Sequence, residues 1–513
     1  MTAQRHSQRK QTRPKKPANP LVRGILAFCS KSGIAVLDST DSTDTSRDAA
    51  ANILDSNLTL SLNDIPKRYT SYPPLLLLPH NFPTHNQSWA AVYSALSEEN
   101  KKALFQCIAE IGFAGQKISR IAINAPIAAA HHQEEEDDDV DPDHDPDVDA
   151  AASAETEYLR SGEQRKKENV MRSPSGLVPV HGDWGTSSPA GVGESSISKS
   201  PTRRDFSDVF WTSASQHRGI TQCWAPLYTM FSRGNVSEKA RILGISTGPG
   251  TGTGSSKGGA TDGDANGNGN VMFPGLTSEE LQEPPDGTDV IDFYVGIGYF
   301  AFCYLMREVR RVYGWDINPW SIEGLRRGCE ANGWTCLVIR VDEHGEMVDQ
   351  TPVDVARSIV GHDQGRDHGK QHPGVRCVAF LGDNQWADKV MGEIQRAGVA
   401  LNIRHANLGL LPTSRGSWEN AVKAICGSGH DNGNGGWLHI HENVDVRDIE
   451  KMKTEITHDI DSLVKRRQAS GQQELDVASW TVSCDHVEQV KTYAPGVMHC
   501  VYDVRIIQID PDG

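Results

Sequence analysis

Residues 290–320 carry the residue types and spacing of a nucleotide site. The apolar run Val290-Ile291-Asp292-Phe293 leads into Gly296 and Gly298, and Asp316 follows Gly298 by 18 residues. Glycine admits positive φ and close backbone approach to a ligand. A helix opening near Tyr299 would aim its first amides at that ligand. An acid at the end of the next strand is where a ribose hydroxyl is bound in a βαβ unit. The turn has GxG without the further glycine of a dinucleotide fingerprint. Asp292 closes the first strand, where a carboxylate can pair with a ligand ammonium or a bound water but would repel a pyrophosphate. It therefore favours a nucleoside-sulfonium ligand over a dinucleotide.

Two later segments have the same character. Leu381-Gly382-Asp383-Asn384 follows the apolar run Val375–Phe380. Asp383 and Asn384 could bond an adenine edge or a methionine amine, or cap the next helix. The segment His405–Ser414 occupies a fourth strand end, in position to line a reacting centre. Ligands of open α/β sheets bind beyond the C-terminal ends of the strands, so Asp292, Asp316 and Asp383 are expected to converge on one crevice. His439 and His441 share one face of a strand, but a metal would need further ligands, and no residue set is assigned to one. HExxH and Walker A patterns are missing from the sequence, which removes the zinc-hydrolase and P-loop readings.

The elements that must hold these residues follow a strand–helix rhythm. Strands are predicted at 289–294, 310–315, 336–341, 376–381, 400–406, 437–441 and 498–509, with helices at 299–308, 320–332, 385–396, 418–425 and 446–467. That alternation predicts a mostly parallel, doubly wound α/β sheet. A late pair near 481–487 and 499–508 predicts an antiparallel edge hairpin. Upstream, a strand at 118–124 and a helix over 89–111 predict a smaller α+β domain, and Asn235 is placed to cap a helix over 235–243. The expected organisation is a basic, polar, disordered tail over 1–60, an N-terminal domain over 61–243 with an acidic disordered insertion near 131–165, a Gly-rich flexible insertion over 244–272, and a catalytic domain over 273–513.

The net charge of −16 is misleading about partners, because residues 134–149 alone hold eleven acids and no base. The first twenty residues hold six Lys or Arg and no acid, so a basic surface for RNA stays open. The ten cysteines form no CxxC pair and read as buried reduced thiols, with Cys303, Cys329, Cys336 and Cys377 inside predicted elements. No apolar run approaches the ~18 residues of a membrane span, and Gly24–Cys29 is too short for a signal-peptide core. A cytoplasmic monomer is expected.

Several segments together carry a family resemblance. They are Trp224–Asn235 with Glu238, Lys239 and Arg241; the glycine turn; Asp316-Ile317-Asn318-Pro319-Trp320; Gly382-Asp383-Asn384; Asn407-Leu408-Gly409-Leu410-Leu411-Pro412; and His439–Val444. Arg68-Tyr69-Thr70 and Val490–Val497 add to them. Over roughly 65–130 and 205–511 the chain resembles the fungal-type tRNA wybutosine-synthesising protein 2 family, and it is similar to the sister family of tRNA guanine-37 N1-methyltransferases. The resemblance implies a class I S-adenosylmethionine-dependent methyltransferase-like, Rossmann-like fold. It implies transfer of the 3-amino-3-carboxypropyl group to 4-demethylwyosine at position 37, in the anticodon loop of tRNA(Phe), with no membrane or metal partner. It places Ser232 and Lys239 on the cofactor, Asp316 on the ribose, Asp383 and Asn384 on the adenine or amino-acid end, and Asn407 at the transfer site. Asp292, Gly296 and Gly298 complete the expected cofactor pocket. The motif Asn407-Leu408-Gly409-Leu410 differs from the Asn-Leu-Pro type of the methylating sister family. Val295 and Leu227 depart from the family, which usually has a small residue and a basic one at those places.

Overall fold

The computed structural model describes residues 19–37, 59–124, 177–185, 200–232, 234–245, 273–363, 374–427, 435–470 and 479–509. The acidic run 134–149 and most of the Gly-rich stretch lie outside the described residues. The chain divides into two compact units, one holding 1–127 and 175–190, the other 128–174 and 191–513.

The first unit is α+β. Strands β1 (Ala35–Leu37) and β2 (Thr59–Ser61) pair in parallel. Strands β3 (Thr70–Tyr72), β4 (Leu75–Leu78), β5 (Arg120–Ile123) and β6 (Val178–His181) form a mixed sheet in that order. Its core joins Leu76, Leu78 and Ile121 to Ile25, Trp89 and Phe105 from the helices. The tail expected over 1–60 contains a helix, Pro20–Ser32. Asn19 Oδ1 accepts the Leu21 N–H at 2.9 Å, Pro20 opens the first turn, and Gly33 closes the helix at φ 72°. The single helix expected over 89–111 is two, Gln87–Ala95 and Glu98–Cys107, because Leu96 is extended and Ser97 caps the second through the Asn100 N–H.

The second unit begins with the short helix Arg203–Asp208, the hairpin β7 (Thr212–Gln216) and β8 (Ile220–Trp224), and the helix Val236–Ile242. This segment was expected in the N-terminal domain; its contacts place it on the large sheet. Tyr228 stacks on Trp320 with centroids 3.9 Å apart, and Asn332 bonds the backbone of Thr221 through both ends of its amide. Asn235 adopts φ 63° and makes no side-chain cap, so the helix after it starts without the predicted Asn cap.

The sheet itself has eight strands: β9 (Asp289–Asp292), β10 (Arg311–Asp316), β11 (Thr335–Arg340), β12 (Val375–Leu381), β13 (Ile403–Leu408), β14 (Gly436–Asp445), β15 (Ser479–Ala494) and β16 (Val497–Ile509). Their order is β11–β12–β10–β9–β13–β14–β16–β15. The first six run parallel, and β16 and β15 form the expected antiparallel hairpin. Both faces are covered: Ile291, Tyr313 and Phe380 face one apolar layer, and Val290, Val312 and Ala379 the other. That explains the near-continuous apolar runs of the strands. This is a doubly wound, Rossmann-like sheet, reversing direction at β9, with β10 on one side and β13 on the other. The helix Pro352–Asp363 was not anticipated. No helix among the described residues is long and apolar enough to cross a membrane.

Val295, bulky inside the glycine turn, points into the sheet rather than the crevice. It is fully buried, and a Cβ built on Gly314 of β10 would meet Val295 Cγ2 at 2.7 Å. The missing side chain at Gly314 makes the room that Val295 fills. Gly314→Ala is expected to destabilise the fold by about 1–3 kcal/mol through overpacking, and adding Val295→Ala should recover part of the loss. Urea unfolding of the two variants checks this; an unchanged midpoint in Gly314→Ala would show that the two positions do not compete for space.

Candidate functional site

The crevice lies beyond the C-terminal ends of β9, β10, β12 and β13. The turn after β9 needs both its glycines. Gly296 has φ 55° and Gly298 φ 87°; a Cβ on the first would meet the Tyr299 ring at 2.9 Å and on the second the Phe302 ring at 2.6 Å. The turn is held by Asp316, whose Oδ2 accepts the Gly296 N–H at 3.0 Å and whose Oδ1 accepts the Asn318 N–H at 2.7 Å. The helix after the turn starts at Ala301, two residues later than expected, and is six residues long. A loop rather than a helix terminus therefore follows the turn, with the Gly298 N–H donating to Val295 O at 2.9 Å.

Asp292 and Asn407 stand opposite each other where β9 and β13 pair, and both are buried. Asp292 Oδ1 accepts the Tyr294 N–H at 3.1 Å. Burial pushes the Asp292 carboxyl up to about 7, against the stabilising pull of the Asn407 amide and the Tyr294 N–H. Asp292 Oδ2 and Asn407 Nδ2 are nonetheless buried without a well-formed hydrogen bond among the described residues. Two such atoms at the head of a crevice are suited to a polar ligand.

Asp383 and Asn384 follow β12 beside Asp316, where the Gly382 N–H donates to the Asp316 carbonyl at 3.1 Å. Asp383 is exposed, with Oδ1 accepting the Gln385 N–H at 2.9 Å. Asn384 is occupied at both ends of its amide: Nδ2 donates to Phe293 O at 2.7 Å, and Oδ1 accepts from Ser417 Oγ at 3.1 Å. It fixes the strand following Asp292 and thereby shapes the pocket wall.

Ser232 and Lys239 arrive from the segment ahead of the sheet. Tyr299, next to the glycine turn, connects them to it. Its hydroxyl donates to Met230 O and accepts the Ser232 N–H at 3.1 Å, and its ring lies 5.2 Å from Lys239 Nζ. Lys239 is 3% exposed and donates to the neutral Gln222 Oε1 at 3.2 Å. Burial pushes its pKa down to about 8. A buried cation facing an amide and an aromatic ring is suited to a ligand carboxylate. Lys491 of β15 adds a second cation here, with Nζ against Gly234 where any Cβ would clash.

The histidines form buried pairs. His405 Nε2–H donates to Gly275 O at 2.5 Å, leaving Nδ1 to accept from His439 Nε2–H at 3.0 Å; His439 Nδ1 lies 2.7 Å from Asp503 Oδ1. Making all three contacts takes a proton on both His439 nitrogens, which burial opposes and the Asp503 carboxylate supports. Arg241 bonds Asp503 at 2.6 Å and Glu238 through two bonds of 2.9 Å. Burial works against an ionised Asp503, yet Arg241 and His439 hold its pKa below the ordinary carboxylate range. This cluster moors the Lys239 helix to β14 and β16. Its members are too far apart in sequence for spacing to reveal, and Asp503 was missed. The second pair, His441 and His499, sits 3.0 Å apart, kept neutral by burial.

No family model matches the chain. It is 28% identical over 445 residues to tRNA wybutosine-synthesizing protein 2 of Schizosaccharomyces pombe, covering 86% of this chain and 73% of that protein. It is 28% identical over 347 residues to the Saccharomyces cerevisiae protein of the same name, covering 66% of this chain and 57% of that one. Among solved structures, Pyrococcus horikoshii TYW2 in complex with MeSAdo superposes over 87% of this chain and 93% of its own with a TM-score of 0.39 and 13% identity.

Asp503→Ala is expected to cost about 3–5 kcal/mol, because it leaves Arg241 and His439 buried without their carboxylate. Chemical unfolding measures the loss, and a change below about 1 kcal/mol would show the cluster to be energetically idle.

Proposed function

We propose that this chain, a relative of tRNA wybutosine-synthesizing protein 2, transfers the 3-amino-3-carboxypropyl group of S-adenosylmethionine to 4-demethylwyosine at position 37 of tRNA(Phe), releasing methylthioadenosine. The observation that carries the reading is the convergence on one switch-point crevice of Asp292, Asp316, Asp383 and Asn407 with the buried cation of Lys239. The residues present fit the donor. Asp292 Oδ2 and Asn407 Nδ2 offer buried polar atoms beside the glycine turn.

When bound, S-adenosylmethionine supplies a sulfonium with three electrophilic carbons and a neutral thioether leaving group. The chain supplies alignment. Asp316, at the C-terminal end of β10 beside the glycine turn, would take the ribose hydroxyls. Asp383, exposed at the neighbouring strand end, would reach the adenine. Lys239 would pair with the donor's carboxylate, and Asp292 with its ammonium, both in a low-dielectric pocket where such pairs are strengthened. Ser232, whose backbone is fixed by Tyr299, would lie along the donor. Asn407 would line the side from which the base approaches. With the amino acid anchored and the ribose held, the in-line carbon is set by pose, and alignment alone can provide several kcal/mol of rate. The base itself must leave the anticodon-loop stack to reach the crevice.

Incubating the protein with hypomodified tRNA(Phe) and donor labelled in the carboxypropyl chain should move label to the tRNA and yield methylthioadenosine. S-adenosylhomocysteine as the product would instead mean methyl transfer, and neither product would mean an RNA-binding protein on this fold. Asp316→Ala should weaken donor binding by about 1–3 kcal/mol, the cost of leaving polar partners unpaired. Isothermal titration measures it, and an unchanged dissociation constant would remove Asp316 from the site.

A further inference from the structure

Three thiols scattered in sequence meet in space, away from the crevice chemistry. Cys329 lies in the last turn of the helix Pro319–Ala331, Cys336 is the second residue of β11, and Cys377 is the third of β12. Their sulfurs all lie within 4.8 Å of one another, the one such cluster of metal-capable side chains among the described residues. The approach is built by the backbone. Asn332 and Gly333, the latter at φ 79°, turn the chain tightly from the helix into β11. A register shift between Thr335 and Cys336 then sets Cys336 directly against Cys377 across the parallel pair. Such a bulge re-aims a side chain, and bulges concentrate beside functional positions.

We propose that Cys329, Cys336 and Cys377 form a three-thiolate site for a single soft cation, Zn²⁺ or Cu⁺. Cysteine thiolates select these ions over harder ones. Sulfurs bound to one zinc at ~2.3 Å stand roughly 3.8 Å apart, so closure from at most 4.8 Å takes side-chain rotation and no change of fold. Cys329 and Cys377 are fully buried, while Cys336 is half-buried and gives the ion its way in and, for zinc, room for a water as fourth ligand. Binding releases the three thiol protons. The bound ion would tie the helix after Asp316 to the edge of the sheet.

The full chain, reduced with a phosphine and stripped of metal, is titrated with Co²⁺ as a spectroscopic probe, then with Zn²⁺ and Cu⁺ against chromophoric chelators. One equivalent with sulfur-to-cobalt charge-transfer absorption is expected, with at least tenfold weaker retention of Zn²⁺ or Cu⁺ in Cys336→Ser and Cys377→Ser and no change in Cys484→Ser. The competition arms decide which ion is held more tightly. A metal-induced rise in melting temperature should occur in the wild type and vanish in Cys336→Ala, a second variant at the most accessible position. Absence of charge-transfer absorption, or binding that survives Cys336→Ser unchanged, would overturn the site.

Discussion

The crevice depends on one carboxylate bracing a glycine turn. Gly296 and Gly298 both take positive φ, and Asp316 accepts the Gly296 N–H while also accepting the N–H of Asn318. That pair of bonds fixes Tyr299, and Tyr299 in turn fixes the segment from Met230 to Ser232 through its hydroxyl. The acid expected to meet a ribose thus first builds the pocket that would receive it.

The opposite wall has its own mooring. Glu238, Arg241, Asp503 and His439 form a buried charge cluster that joins the helix Val236–Ile242 to the antiparallel end of the sheet. Burying four such groups is unfavourable unless each is paired with good geometry. Here it sets the register of Lys239 against the glycine turn. Lys239, facing the Gln222 amide and the Tyr299 ring, is thereby placed to meet an amino-acid carboxylate in the proposed reading.

Local patterns in the sequence were legible where the chemistry is local. Asp292, the two glycines and Asp316 lie within one βαβ unit, and their roles follow from strand ends and turn geometry. The parallel strands of the sheet lie within a few residues of expectation because both faces are apolar, whereas the edge strand β15 runs seven residues beyond it. Contacts between distant segments were not legible. Asn384 reads as a ligand-facing amide, but Phe293 and Ser417 occupy it. Asp503 and the meeting of Cys329, Cys336 and Cys377 exist only once β10, β11, β12 and β16 are assembled. The polar composition of the surrounding tail hid the helix Pro20–Ser32, although Asn19, Pro20 and Gly33 are its start and stop signals.

The central claim is that the donor sits over the β9–β13 switch point. Hydrogen–deuterium exchange of the full chain with and without S-adenosylmethionine tests it most directly. The account predicts slowed exchange at residues 293–299, 316–318 and 382–385 and across the segment around Lys239. Protection confined to other regions, or none at saturating donor, would contradict it.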